Sequence, residues 1–235
     1  MRSMNVIGLS ARFLGAMAVL AMLLGLPQPP AMAQPCPDAE VVFVRGTNEP
    51  PGVGQVGQSF LDSLRWQVFP RSVGEYAINY PASGNFGNHV EFLGNVADGI
   101  RDARTRIEFM AAHCPNTKLV LGGYSQGAVV AAYTASDQLP EGVPAASLPP
   151  PIPPEVASHV VATVLFGMPA GQVLQKYGAP FITIGPAYAD KTIRLCAPGD
   201  VICSDIPGML PNGEHSLYPF NGMTNEGAAF AASRL

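Results

Sequence analysis

The sequence has 235 residues and a formal net charge of −4. This length is little more than that of the common domain, about 100 to 200 residues, so we expect one domain. Binding to nucleic acid requires clustered lysine and arginine side chains that neutralise phosphates, and no such cluster is visible in the sequence, so we expect no nucleic-acid partner.

The first 33 residues have the features of a secretory signal. Two arginines carry positive charge, residues 13–26 form an apolar run, and small residues precede a cleavage point before Gln34. The run has 14 residues, whereas a membrane anchor needs roughly 18 to 20. We therefore expect a signal peptide at 1–33, no membrane span, and one exported domain at 34–235 with 11 basic and 17 acidic residues. Whether the protein stays at the cell envelope after export is open.

Downstream of this segment, short apolar runs rich in β-branched residues alternate with helical patterns, which is typical of βαβ units and a parallel sheet. The candidate strands are Ala39–Val44, 76–80, Lys118–Tyr124, Val160–Phe166 and 191–196. Apolar residues at helical spacing predict helices around 60–68 and 93–107, and a last helix at 224–235. The second helix should end at Cys114, because the residue before a proline is pushed out of the α region. The predicted class is α/β.

A proline-rich segment lies at 139–154. Proline lacks an amide donor and fits neither a strand ladder nor a helix interior, so we predict a surface loop. The loop is either a stiff spacer or a lid or rim that contacts substrate, since long loops often carry function.

The chain has four cysteines, all after the predicted signal. An even number in an exported chain favours disulfides. Three pairings are possible, and chain order with short loop closure favours Cys36 with Cys114 and Cys196 with Cys203, the second closing a small ring. A zinc site is the alternative, but the spacing of the last two cysteines and the absence of a second ligand pair disfavour it. We expect no metal and no organic cofactor.

A candidate nucleophile lies in the letters GYSQG at 123–127, between a predicted strand and an apolar helix. A serine on such a sharp turn is strained, and small residues are needed on both sides of it. The helix N-terminus behind the serine directs amides towards a developing negative charge, so Gln126 is the first predicted oxyanion donor. The alternative is a chance match in a sequence with 25 glycines, which the strand-turn-helix context disfavours. We predict Ser125 as the nucleophile.

A serine hydroxyl needs a base, and in this fold class the carboxylate and then the histidine follow the serine along the chain. Two of the four histidines, His89 and His113, precede Ser125. The third, His159, borders a predicted buried strand directly after the proline-rich segment, where it fits a structural role. The fourth, His215, lies in the loop between the last strand and the last helix, which reaches the carboxyl edge of the sheet. His215 is therefore the predicted base.

Two carboxylates, Asp200 and Asp205, compete to orient this histidine, and Asp190 is a poorer candidate because it precedes the last strand. Asp200 follows that strand directly and lies inside the ring that Cys196 and Cys203 would close. A rigid ring suits an orienting carboxylate, since small displacements of such a group cost orders of magnitude in rate. Asp200 also fits as a turn former, and the two roles are compatible.

Together these residues resemble the cutinase family, in particular its secreted actinobacterial branch. The match is carried by RGTNE at 45–49, GYSQG at 123–127, CAPGDVIC at 196–203 and a histidine in the following loop. The resemblance implies a compact α/β-hydrolase without a large lid, whose central sheet has five mostly parallel strands and helices on both faces. It also implies a second oxyanion donor at Thr47, where fungal members usually have serine, and the extra methyl group restricts the rotamer there.

The activity that the resemblance implies is hydrolysis of carboxylic esters with short to medium acyl chains. Longer lipids, polyesters, phospholipids and thioesters remain open as substrates. We expect a monomer that binds an ester or lipid substrate and forms an acyl-enzyme. An acyltransferase is a second hypothesis, but the sequence has no feature that excludes water. A non-catalytic lipid-binding protein of the cell envelope is a third, and it would not require the complete set of predicted catalytic groups.

Overall fold

The structure is a computed structural model that describes residues 35–138, 148–204 and 211–235. The predicted signal peptide at 1–33 lies outside the described residues. So do most of the proline-rich segment and the competing carboxylate Asp205.

A parallel sheet forms the centre of the described chain. Its five strands have the spatial order β2-β1-β3-β4-β5, and every neighbouring pair is parallel. The strands are β1 (Ala39–Val44), β2 (Val73–Ala77), β3 (Lys118–Tyr124), β4 (Val160–Phe166) and β5 (Thr192–Leu195). The prediction of a parallel α/β sheet is confirmed, and β1, β3 and β4 have the predicted bounds.

The prediction for β2 is wrong by three residues. The strand ends at Ala77. The amide of Ile78 still donates to the carbonyl of Phe43 in β1 at 3.0 Å, but the backbone groups that follow pair with side chains. The amide of Asn79 donates to Oδ2 of Asp102 at 2.8 Å, and the carbonyls of Ile78 and Tyr80 accept from the guanidinium of Arg45. Ile78 and Tyr80 are buried, so the segment has the apolar alternation of a strand, although its bonds to Asp102 and Arg45 lie outside the ladder. The strand β5 is also one residue shorter at each end than predicted.

Helices cover both faces of the sheet. They are α1 (Gly54–Val68), α2 (His89–His113), α3 (Gln126–Thr134), α4 (Pro154–Ala157), α5 (Gly171–Lys176) and α6 (Met223–Ala232), with 3₁₀ helices at Ala189–Lys191 and Gly213–Ser216. The side chain of Asn88 caps α2 by accepting the amide of Glu91, and Cys114 ends that helix as predicted. The last helix, α6, ends three residues before the predicted bound. No helix of the described residues has both the length and the apolar character that a membrane crossing needs.

The core has two layers, one on each side of the sheet. Helices α2 and α3 cover one face, and α1 and α6 pack together on the other. Three rings, Phe43, Phe60 and Phe166, meet under α1 with centroid distances of 5.6 to 6.4 Å. Burial from both sides fixes the central strand β3, and the segment that follows it carries Ser125.

Both disulfides have the predicted pairing. Cys36 bonds to Cys114 across a separation of 78 residues, and Cys196 bonds to Cys203 across seven. The first ties the segment before β1 to the end of α2, and the chain-entropy model gives about 4 kcal/mol for closing a loop of that length. With all four sulfurs paired, none is a thiolate, and the zinc alternative is wrong.

Candidate active site

A strained turn places Ser125 at the carboxyl end of β3. Its φ of 54° and ψ of −119° lie in a region that residues with a Cβ rarely adopt. The amide of Ser125 donates to the carbonyl of Phe166 at 2.9 Å, so the turn is fixed to the neighbouring strand β4. The chain then enters α3, and the hydroxyl lies over the N-terminus of that helix.

The two flanking glycines are required by close backbone contacts. A Cβ on Gly123 would collide with the backbone of Gly127, and a Cβ on Gly127 would collide with the carbonyl oxygens of Val44 and Arg45. Backbone cannot move aside as a flexible side chain can. The turn therefore depends on glycine at both positions, for the reason that the motif predicts.

The structure brings the three predicted catalytic side chains together. Nε2 of His215 lies 2.9 Å from Oγ of Ser125, and Nδ1 of the same ring lies 2.8 Å from Oδ2 of Asp200. Asp200 follows β5, and His215 lies in the 3₁₀ helix at Gly213–Ser216. The Asp200 side chain is fully buried and His215 is 3% exposed, so solvent competes little for these hydrogen bonds.

The other three histidines lie elsewhere. His89 begins α2 and packs against Gly178. His113 stacks on Phe109 at the end of the same helix, and His159 precedes β4.

The carboxylate of Asp200 is held in its charged form. Burial raises its pKa, but hydrogen bonds from His215, from the hydroxyl of Tyr218 and from the amide of Ile202 together outweigh burial and lower it. The Tyr218 hydroxyl donates to Oδ2 at 2.7 Å, and the Ile202 amide donates to Oδ1 at 2.9 Å. A charged carboxylate at this position favours the imidazole tautomer with its hydrogen on Nδ1.

The small disulfide ring packs directly against this carboxylate. Sγ of Cys203 lies 3.0 Å from Oδ2 of Asp200, and the Asp200 amide donates to the carbonyl of Ala197 inside the ring at 3.0 Å. The backbone around the aspartate is thus held by the disulfide bond of the ring and by the hydrogen-bonded turn that leads into Asp200.

Two tyrosines that the sequence analysis did not select, Tyr218 and Tyr124, hold the acid and the base. The Tyr218 hydroxyl accepts the amide of Ala197 at 3.0 Å while it donates to Asp200. The Tyr124 hydroxyl donates to the backbone carbonyl of His215 at 2.6 Å, and its ring lies 5.1 Å from the imidazole. Burial raises the pKa of both tyrosines, so both hydroxyls keep their protons. The only signal for Tyr124 was its place inside the GYSQG motif.

Both predicted oxyanion donors line the same cleft as Ser125 and His215. Gln126 is the first residue of α3, where an amide has no intrahelical acceptor. Thr47 lies just beyond the end of β1. In the described part of the chain, neither amide donates to a backbone or side-chain acceptor. Two free amides beside the serine suit the binding of a developing oxyanion.

The loop that carries Thr47 is held by two charged side chains that sequence analysis did not select. The guanidinium of Arg45 donates to the carbonyls of Glu49 and Tyr80, at 2.9 and 2.5 Å. The carboxylate of Glu49 in turn accepts the amide of Gly46 at 2.6 Å. The conformation of the Thr47 segment is thereby fixed from both ends, and the letters RGTNE at 45–49 were the available signal.

The cleft beside Ser125 is apolar and has a volume of about 350 Å³. Its hydrophobic lining includes Phe86, Phe92, Val129, Val173, Leu174, Tyr177 and Ile202. The Phe86 ring contacts the Tyr177 ring at a centroid distance of 4.8 Å and the Phe92 ring at 5.6 Å. These rings form an apolar wall suited to a hydrocarbon chain.

The cluster of potential metal ligands among the described residues is Asp200 with Cys196 and Cys203. Disulfide sulfurs are not thiolates, and the carboxylate is already engaged by hydrogen bonds. The donor set does not fit a metal site.

Comparisons with known proteins show which family the chain is similar to. A family profile described as Cutinase matches residues 35–235. A Mycobacterium tuberculosis protein named "Probable carboxylesterase Culp7" is 54% identical over 169 residues, which is 72% of this chain and 88% of that protein. "Phospholipase Culp4" of the same organism is 45% identical, over 88% of this chain and 84% of its own length. Among solved structures, a Trichoderma reesei cutinase in complex with a phosphonate inhibitor superposes with a TM-score of 0.60 at 32% identity. That match covers 93% of this chain and 85% of the other.

Proposed function

The chain belongs to the cutinase family and is a carboxylic ester hydrolase, and on that basis we propose that it is a secreted serine esterase with Ser125 as its nucleophile. The observation that carries the proposal is the continuous series of contacts from Asp200 through His215 to Ser125, at 2.8 and 2.9 Å. A serine, an imidazole and a buried carboxylate in this order can deprotonate the hydroxyl as it attacks a carbonyl.

In the first half of the reaction, Nε2 of His215 takes the proton of Ser125 and Oγ attacks the ester carbonyl carbon. Asp200 stabilises the imidazolium that forms. The carbonyl oxygen becomes negative and accepts hydrogen bonds from the amides of Thr47 and Gln126. Each such donor is typically worth about 3 to 4 kcal/mol of the barrier. The tetrahedral intermediate then collapses to an acyl-enzyme, and the alcohol leaves with the proton from His215.

In the second half, water replaces the alcohol. His215 removes a proton from the water as it attacks the acyl-enzyme carbonyl, and the same two amides bind the second oxyanion. Collapse of this intermediate returns the proton to Ser125 and releases the carboxylic acid. The side chains already in place therefore supply every proton transfer.

The substrates that we propose are esters with short to medium acyl chains. Support comes from the apolar lining of the cleft and from its volume of about 350 Å³, which is near the lower end of the roughly 300 to 1,000 Å³ of small-molecule pockets. The names of the relatives include both carboxylesterase and phospholipase, so the proposal does not specify the alcohol portion of the ester.

Export is the second part of the proposal. Two disulfides in the described chain are suited to an oxidising space, and residues 1–33 have the pattern of a cleavable signal. Intact-mass analysis of protein from culture medium should give a chain that begins near Gln34. Recovery of the chain only from the cytoplasm and with Met1 retained would contradict this part.

The experiment that tests the chemistry is a rate profile over p-nitrophenyl esters of increasing chain length. We expect a maximum at short to medium chains and a loss of about 10⁴-fold or more in kcat for Ser125→Ala. The matched control is Ser136→Ala, because this buried serine donates to the carbonyl of Gln138 and does not line the cleft. Wild-type rates in Ser125→Ala would overturn the proposal.

A further inference from the structure

One buried hydroxyl contacts Gln126 and the segment that leads to Thr47, the two sides of the proposed oxyanion site. Tyr80 is 3% exposed, and its hydroxyl lies 2.7 Å from the backbone carbonyl oxygen of Arg45 and 3.3 Å from Oε1 of Gln126. Burial raises the pKa of Tyr80, so the hydroxyl keeps the one hydrogen that these two acceptors share. Arg45 precedes Thr47 by two residues, and Gln126 follows Ser125.

The segment after Tyr80 makes further contacts with the same two sides. The carbonyl of Ala82 accepts the amide of Asn48 at 2.8 Å, and the carbonyl of Ser83 accepts Nε2 of Gln126 at 3.2 Å. Ala82 has a φ of 52°, in the left-handed region that is unfavourable for a residue with a Cβ. Such strain persists only where the surroundings enforce it, and it occurs often at functional sites.

These contacts join two parts of the chain that are far apart in sequence. The Thr47 loop follows β1, and Gln126 begins α3. An oxyanion that accepts from two amides requires a fixed distance between them, because the donors must already point at the position where charge develops. The segment from Tyr80 to Ser83 bridges the two, and the guanidinium of Arg45 also lies over the Tyr80 ring, 5.1 Å from its centroid.

We propose that Tyr80 is a positioning residue whose hydroxyl fixes the Thr47 loop relative to Gln126, so that both oxyanion amides are aligned before substrate binds. This inference rests on the proposed function, because it assumes that Thr47 and Gln126 bind the oxyanion. The hydroxyl touches neither the reacting atoms nor the cleft surface, and Tyr80 acts through Arg45 and Gln126.

The variant that isolates the hydroxyl is Tyr80→Phe, which retains the ring that packs against Gly99. The remaining contacts of Arg45, Glu49 and Ser83 still support the loop, so the donors should shift without being lost. A displacement of about 1 Å can lower a rate by about 100-fold, and complete loss of one oxyanion donor lowers kcat by about 100-fold to 1,000-fold. Because the remaining contacts keep the displacement smaller than this, we expect kcat to fall by about 10-fold. KM should change by less than about twofold, because the oxyanion contacts strengthen only in the transition state.

Tyr133→Phe is the matched control. Tyr133 is also buried, and its hydroxyl donates to the carbonyl of Pro180 at 2.7 Å. Tyr133 belongs to α3, the helix that begins at Gln126, but it does not line the active-site cleft. Both variants lose one buried hydroxyl with a carbonyl partner, so a general loss of stability should lower Tm in both to a similar extent.

The assay is hydrolysis of p-nitrophenyl butyrate, with rates expressed per site titrated by a fluorophosphonate so that misfolded protein does not enter the comparison. A second readout is the inhibition constant of an alkylboronic acid, which forms a tetrahedral adduct with an active serine. We expect Tyr80→Phe to lower kcat and boronic-acid affinity together, and Tyr133→Phe to leave both within about twofold of wild type. Equal effects of the two variants on kcat would overturn the inference.

Gln126→Met provides the test if Tyr80→Phe does not fold. It keeps the backbone amide of residue 126 and removes the side-chain contacts to Tyr80 and Ser83, so kcat should again fall with KM little changed. A wild-type kcat in Gln126→Met would contradict the inference. Failure of the proposed function would be distinguishable, since Ser125→Ala would then retain wild-type activity in the same assay.

Discussion

Replacing Asp200 by asparagine changes the hydrogen-bonding character of one buried group and keeps its shape. Oδ2 of Asp200 accepts from His215 at 2.8 Å and from Tyr218 at 2.7 Å. If the asparagine amide nitrogen takes that position, it donates to Nδ1 and moves the imidazole hydrogen to Nε2. Nε2 of His215 then carries a hydrogen and is unable to accept the serine proton. If the amide oxygen takes that position, the tautomer is kept but the stabilising negative charge is lost.

The expected cost follows from this tautomer exchange. Comparable substitutions in serine hydrolases lower kcat by about 10⁴-fold, which corresponds to about 5 kcal/mol of transition-state stabilisation. We expect a fall of about 1,000-fold to 10,000-fold in Asp200→Asn with little change in KM, because the cleft that binds the acyl chain is not altered.

The same variant has a defined effect on acid stability. The folded-state pKa of Asp200 lies below its ordinary value of 3.8. Its charge therefore stabilises the fold above that ordinary value, and this contribution is lost as the pH falls through the lower folded-state pKa. Asparagine does not titrate. The Tm difference between wild type and Asp200→Asn should thus be larger at about pH 7 than at about pH 3, and an equal difference would contradict the lowered pKa.

The assay compares three variants on p-nitrophenyl butyrate with stopped-flow or steady-state detection. Asp190→Asn is an exposed control that removes the same charge before β5. Asp205→Asn tests the competing carboxylate of the sequence analysis. The assignment is refuted if Asp200→Asn keeps kcat within about tenfold of wild type, or if Asp205→Asn shows the large loss instead.

Two further predictions concern residues that hold or line the site. Tyr218→Phe should lower the free energy of unfolding by about 1 to 3 kcal/mol, because the Ala197 amide loses its acceptor. It should also lower kcat, because Asp200 loses one donor. An unchanged urea-unfolding midpoint and an unchanged kcat would count against both roles. Phe86→Ala opens the wall that Phe86 forms with Tyr177, so the maximum rate should move to p-nitrophenyl esters with longer acyl chains. An unmoved maximum would show that this wall does not set the preferred acyl-chain length.

Much of the site could be predicted from sequence because its constraints are local. Gly123 and Gly127 are needed for backbone clearance around Ser125, and that requirement leaves a recognisable pattern in the letters. The order of carboxylate and histidine after the nucleophile then reduced the choice to a few residues. Asp200 was favoured over its competitor by the ring between Cys196 and Cys203, and that disulfide has the predicted pairing.

The supporting contacts could not be predicted, because they join residues that are distant in sequence. The hydroxyls of Tyr80 and Tyr124 reach backbone carbonyls 35 and 91 residues away, and no spacing rule identifies such pairs. Thr47 was reached only through the family resemblance, since nothing in its own neighbours indicates a free amide.

The boundary error in β2 has the same origin. Residues 78–80 have strand-like alternation, but Arg45 binds the carbonyls of Ile78 and Tyr80, and Asp102 binds the amide of Asn79, so these groups are outside the ladder. The short helices α4 and α5, with four and six residues, were missed because one or two turns are too few to show a helical period.

The central claim is that the hydroxyl of Ser125 is the group that attacks the ester. Peptide mapping by mass spectrometry after reaction with a fluorophosphonate tests it most directly. The proposed function predicts one adduct, on the peptide that contains Ser125, formed quickly in wild type and absent from Ser125→Ala. An adduct on a different serine, or no adduct in a preparation that hydrolyses p-nitrophenyl butyrate, would contradict it.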